Sequence, residues 1–169
     1  PAFIAATAQL IWIWYAHARW SKRFGLEDST TVLLSGLLIM LVLVYVYPLK
    51  MMAAGMFFWL SGGYFEAGYK LSSWEELRFL FYFATIGFFL LGLLFWQLHR
   101  HAVRCKEQLL LTEHEVKMTI VDGYVWLVVA FTNLIVLILS AAVSGPWLTV
   151  APMFYATLGI SLPLVSRMR

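Results

Sequence analysis

Apolar residues along this chain gather into five long runs, and charge is confined almost entirely to the gaps between them. An α-helix needs about 17–25 mostly apolar residues to cross a hydrocarbon core. The pattern therefore predicts an all-α integral membrane protein, a bundle of about five transmembrane helices in one domain covering residues 1–169. The spans fall at about 2–18, 31–49, 77–98, 118–143 and 147–165. Pro48 ends or kinks the second span, and Lys50 beyond it can snorkel to the interface. Residues 51–60 are apolar but too short to cross again, and Gly62, Gly63 and Gly68 punctuate the chain beyond them. Because aromatics favour the interface, the aromatic-rich segment 50–75 is expected to be an interfacial or re-entrant connection. The alternative is a tilted second span continuing to Leu60. Gly145-Pro146 marks a tight turn before the fifth span, which holds Pro152 and Pro163 inside it or at its end.

Charge sets the orientation. Arg19, Lys22, Arg23, Arg100, Arg104, Lys106, Lys117, Arg167 and Arg169 fall on one side if the spans alternate; Lys50, Lys70 and Arg78 fall on the other. The positive-inside rule makes the nine-residue side cytoplasmic. The C-terminus is then expected inside and Pro1 outside, in a bacterial inner membrane. An outward-facing end that enters a span directly is unusual, and no basic signal-peptide region precedes it. A sixth span before Pro1 would place both termini inside, so the charge pattern leads us to expect one.

The composition, 62% hydrophobic and 12% charged with a mean hydropathy of +0.81, leaves no room for a separate soluble domain. The net charge of +3 sits at span ends, where topology explains it without nucleic acid. The single cysteine, Cys105, excludes an internal disulfide and a thiolate cluster.

Polar groups inside spans are functional candidates by default, since burial in lipid costs free energy. They are Gln9, Thr85, Asn133 and, on the fifth span, Thr149, Thr157 and Ser161. Interhelical hydrogen bonding is their ordinary use; an ion or substrate contact is the sharper one. Asp122 is the one carboxylate inside an apolar run, placed to pair with Lys117 or Arg104, or to serve as a proton relay or gate. No acidic ring supports a carboxylate-lined filter. His17, His99 and His101 lie near one face and invite a haem with two axial imidazoles. His99 and His101, however, are two residues apart and point away from each other on a helix. No zinc spacing, Ser–His–Asp arrangement or phosphate loop stands out. The expectation is a protein that is not an enzyme, with no cofactor and no metal.

The stretch 14–50, WYAHARWSKRFGLEDSTTVLLSGLLIMLVLVYVYPLK, resembles the second and third transmembrane helices of the bacterial and lysosomal potassium-channel family named after transmembrane protein one-seventy-five. That family shows Trp-x-x-His at a helix end, a short basic turn with an Asp, and an apolar helix ending near a Pro. Here these are Trp14, His17, the turn 21–27, Asp28 and Pro48. The remaining three spans match the family's last three helices in order and orientation. The resemblance implies a homo-oligomer passing a monovalent cation such as potassium. Two departures stand against it. The hallmark Arg-x-x-x-Phe-Ser-Asp segment of the family's first, pore-lining helix is absent, and Ser35 stands where the family tends to have Asn. The resemblance implies that the five spans are the second to sixth of a six-helix architecture. It leads us to expect either that a first helix belongs before Pro1 and is absent from this sequence or that the chain is a shortened relative used as a scaffold.

Read from the residues themselves, His17 and Arg19 sit where a polar cluster can staple neighbouring helix ends, and Asp28 is placed to cap the next helix. Two functions fit these features: a potassium-channel-like protein that conducts only with an upstream pore helix, and a non-conducting accessory or structural subunit of a larger membrane complex.

Overall fold

The computed structural model describes residues 1–69 and 73–166. Lys70, Arg167 and Arg169, counted above in the charge pattern, lie outside the described residues. Among the described residues the chain is helical: α1 (Ala2–Phe24), α2 (Ser29–Leu60), α3 (Trp74–Arg104), α4 (Glu113–Ala142), a 3₁₀ segment (Gly145–Thr157) and α5 (Leu158–Ser166). Three of these, α2, α3 and α4, are long and apolar enough to cross a membrane by length and composition. In α1 the polar Gln9 and His17 and several Trp and Tyr residues dilute the apolar run.

Helix ends follow local chemistry. Gly25 stops α1 by adopting φ 58°, a left-handed conformation that costs glycine little, and its N–H donates to the Ser21 carbonyl. Asp28, Ser73 and Thr112 each begin a helix by accepting from a backbone N–H in its first turn. At Thr112 the bond is reciprocal, because the Glu115 carboxylate accepts from the Thr112 N–H. The Thr-x-x-Glu spacing that forms this capping box is plain in the sequence.

Two expectations need correction. Residues 50–60 do not form a separate connection: α2 continues unbroken through Pro48 to Leu60. The long-helix alternative is the structure observed, and the turn comes only at Gly62 and Gly63, both at positive φ. Phe57, Phe58 and Trp59 thus belong to α2, while Tyr69 folds back and its hydroxyl donates to the Met51 carbonyl at 3.0 Å. The fifth span is not one α-helix. The chain from Gly145 winds as a 3₁₀ helix and becomes α-helical at Leu158. Proline removes backbone donors that an α-helix would use, and Pro146 and Pro152 both fall in the 3₁₀ part. The two pieces give a contour of roughly 40 Å, enough to cross.

The core lies between α3 and α4. Phe95 and Trp126 stack with centroids 4.0 Å apart. A Cβ on Gly92 would lie 2.8 Å from the Trp126 carbonyl and 2.9 Å from the Ala130 Cβ, so only glycine permits the two backbones to come this close. α1 and α2 add Ile13, Trp20, Phe24 and Leu38 to the same cluster, with Phe95, Leu98 and Ala102 fully buried at its centre. At the opposite end, Arg78 at the start of α3 reaches the Val143 carbonyl at the end of α4 (2.9 Å) and pairs with Glu75.

Candidate functional site: the polar end of the bundle

The end of α1, the start of α2, the end of α3 and the start of α4 meet, and three polar contacts cross between them. The first joins His17 to Ser35: Nε2 and Oγ are 2.9 Å apart. The residues are 18 apart, with the Gly25 turn midway, so an antiparallel α1–α2 hairpin brings them level. His17 also lies between Trp14 (5.8 Å between centroids) and Trp20 (6.4 Å). Trp20 is buried and Trp14 is exposed.

The second contact centres on Asp28. Its carboxylate accepts from the Thr30 N–H (3.1 Å), from the Thr31 hydroxyl (2.7 Å) and, across to α3, from His101 Nε2 (3.0 Å). The Thr31 hydroxyl first, and then the His101 hydrogen bond, hold this carboxyl well below the usual carboxylate range. The same group therefore caps α2 and fastens the α1–α2 turn to the end of α3.

The third corrects an expectation. Asp122 pairs with Arg23 at the end of α1, at 3.3 Å, and no ion pair to Lys117 or Arg104 is seen among the described residues. The partners are 99 residues apart, a separation at which the sequence offers no spacing rule. Arg19 is exposed and lies over the Tyr15 ring, 5.9 Å from its centroid, so it does not join the staple expected with His17.

Most of the polar side chains inside the helices are spent locally; the Ser161 hydroxyl is an exception, buried with no hydrogen-bond partner among the described residues. The Thr85 hydroxyl donates to the Phe81 carbonyl of its own helix (2.7 Å), so it does not bridge helices. Thr119, Thr132 and Ser140 do the same along α4. Thr149 and Thr157 bond backwards within the 3₁₀ segment. Asn133 does bridge: its amide donates to the Val129 carbonyl, and its oxygen accepts from the Tyr155 hydroxyl at 2.7 Å. Gln9 is half-buried on α1 with no hydrogen-bond partner among the described residues.

The histidines are also engaged by protein. His17 and His101 each commit Nε2 to a side-chain oxygen, and the His99 Nδ1–H donates to the Phe95 carbonyl. Among the described residues no group of three His, Cys, Asp or Glu side chains is arranged to hold a metal ion.

The chain as a whole has counterparts of known structure and sequence. The chain aligns over nearly its whole length (99%) with the crystal structure of a threonine-to-alanine variant of the potassium channel MtTMEM175, bound to a nanobody-MBP fusion protein. The TM-score is 0.81, the identity 25%, and 75% of that chain is covered. The fold is TMEM175-like. It is also 30% identical over 157 residues to a protein of Marivirga tractuosa named "Potassium channel". That alignment takes in 86% of this chain and spans 60% of the relative's length. No family model matches. Both names are those of channels, not enzymes, and the TMEM175-like helices identify an integral membrane protein.

Proposed function

We propose that this chain forms the helical wall of a potassium-channel-like protein, and that a monovalent cation passes only where additional chain, an upstream helix, supplies the lining. One observation carries the reading: the buried hydroxyls Thr85, Thr119, Thr132 and Ser140 all point back at carbonyls of their own helices. A water-filled path needs repeated polar or small groups on one face, or a hydrophobic constriction built by several copies. The single bridging amide, Asn133, is taken up by Tyr155. The His17–Ser35 and Asp28–His101 contacts then act as staples that fix the helix ends around such a path. The assembly is a homo-oligomer in the inner membrane. Its end carrying Arg19, Lys22, Arg23, Arg100 and Arg104 faces the cytoplasm, with the C-terminus on the same side.

The second reading, a non-conducting accessory subunit, draws on α2, whose Val32, Leu33, Met40, Leu43 and Tyr47 are all exposed apolar surface. Reconstitution separates the two. Residues 1–169 alone in liposomes are expected to give no potassium-selective flux, and the same residues within a chain extended to the length of the relatives are expected to give it. Selective flux from residues 1–169 would refute the wall reading. No flux from either, together with stoichiometric copurification of a different membrane protein, would establish the accessory role.

A further inference from the structure

A groove of about 730 Å³ opens between α1, α4 and α5. Its walls change character along its length. One end carries Arg19, Lys22 and Arg23; Trp12, Val125, Trp126, Val129 and Leu162 make an apolar wall beyond it, and His99 of α3 also borders the groove. Asp122, also in the wall, takes one nitrogen of Arg23. Arg19 and Lys22 make no ion pair with a described carboxylate. Trp20 lines the same end, and its indole N–H is buried with no acceptor among the described residues. A buried indole donor ordinarily finds a partner.

We propose that this groove seats one anionic phospholipid, its phosphate among Arg19, Lys22 and Arg23 and an acyl chain along the Trp126–Val129–Leu162 wall. Charge complementarity selects the head: among the described residues three cations face a single carboxylate, and guanidinium groups match phosphate oxygens. Length selects the tail. From Arg23 to Trp12, at about 1.5 Å per residue, the groove runs roughly 16 Å, close to half of a hydrocarbon core of about 30 Å. That is the depth of one leaflet. The placement also puts the lipid against the Arg23–Asp122 contact that ties α1 to α4.

Native mass spectrometry of the intact chain in detergent tests this, with phosphatidylglycerol and phosphatidylcholine of matched acyl chains as probes. Phosphatidylglycerol is expected to bind about tenfold tighter. Arg19→Gln and Lys22→Gln are each expected to weaken it about fivefold, the effect of one cation near an anionic membrane surface. Arg104→Gln, an exposed cation at the same end but outside the groove, is expected to leave binding unchanged. Val129→Trp, which fills the tail channel while sparing every cation, is expected to weaken binding too, and excess inorganic phosphate is not expected to displace the lipid. Equal binding of the two lipids would overturn the proposal. So would an Arg104→Gln loss as large as that of Lys22→Gln, or displacement by phosphate alone. A change in the number of protein chains per complex on Val129→Trp, with phosphatidylglycerol binding unaltered by that variant, would assign the groove to a protein partner, and would equally overturn it.

Discussion

α2 and α3 are nearly equal in length and each is apolar enough to cross a bilayer, yet they are used differently. In its most apolar stretch α3 is 44% buried inside the protein and α2 only 17%. The difference lies in the residues that permit close approach. α3 brings Gly92 to the α4 backbone and stacks Phe95 on Trp126. α2 turns Val32, Leu33, Met40, Leu43 and Tyr47 outward. In water such a face would be a liability. In lipid it costs little, because hydrocarbon is as apolar as leucine, and helices associate through packing and hydrogen bonds. Hydrophobicity thus says which helices enter the membrane, while small residues and polar ties say which of them form the core.

The sharpest way to break this contrast is to exchange glycine on the two helices. Gly92→Val would drive side-chain atoms into the Trp126 carbonyl and Ala130, and is expected to destabilise the fold by about 3 kcal/mol, the upper part of the range for overpacking. Gly36 on α2 has nothing within 4 Å of where a Cβ would stand. Gly36→Ala is expected to leave stability unchanged or to raise it by less than about 1 kcal/mol through helix propensity. Thermal melting in detergent, followed by the fraction remaining soluble and monodisperse, measures both. Equal losses would show that α2 packs as tightly as α3.

Of intermediate size is the tie that holds α2 to α1. In a double-mutant cycle, His17→Ala and Ser35→Ala are expected to couple by about 1 kcal/mol. Additive losses would mean that the 2.9 Å contact contributes nothing.

The smallest effect concerns acid. Because the Thr31 hydroxyl and His101 hold the Asp28 carboxyl low, its contribution is fully present above the ordinary carboxylate value of about 3.9 and is lost as pH falls below it. The melting temperature of the wild-type chain should drop on acidification below about pH 4. Asp28→Asn should start lower and lose part of that acid dependence, and an identical acid profile for the variant would remove Asp28 from the account.

Much of this was legible in the sequence, and the limits have physical causes. The apolar runs announced the helices, and Asp28 before Ser29, Thr30 and Thr31 announced a cap. The Trp14, His17, Asp28 and Pro48 pattern pointed to the channel family. Pro48 did not end the helix, because proline's cost in a helix depends on what surrounds it, and α2 stays helical past it. The Asp122–Arg23 pair was invisible because it depends on how α1 and α4 meet at the polar end. Lys117 and Arg104, nearer in sequence, were the natural candidates. Thr85 illustrates a third limit: sequence marks a hydroxyl inside a span but not whether it turns to a neighbouring helix or to its own carbonyls.

The central claim is that the outward face of α2 meets lipid or protein and lines no aqueous path. Single cysteines introduced on that face, such as Met40→Cys, Leu43→Cys and Val44→Cys in a Cys105→Ala background, test it directly with a membrane-impermeant cationic thiol reagent applied to the reconstituted protein. Ser144→Cys, at the end of the bundle where Arg78 reaches α4, serves as the accessible control. The account predicts modification at Ser144→Cys and none at Met40→Cys, Leu43→Cys or Val44→Cys. Modification recurring every three to four residues along α2 would contradict it and make this helix the pore lining.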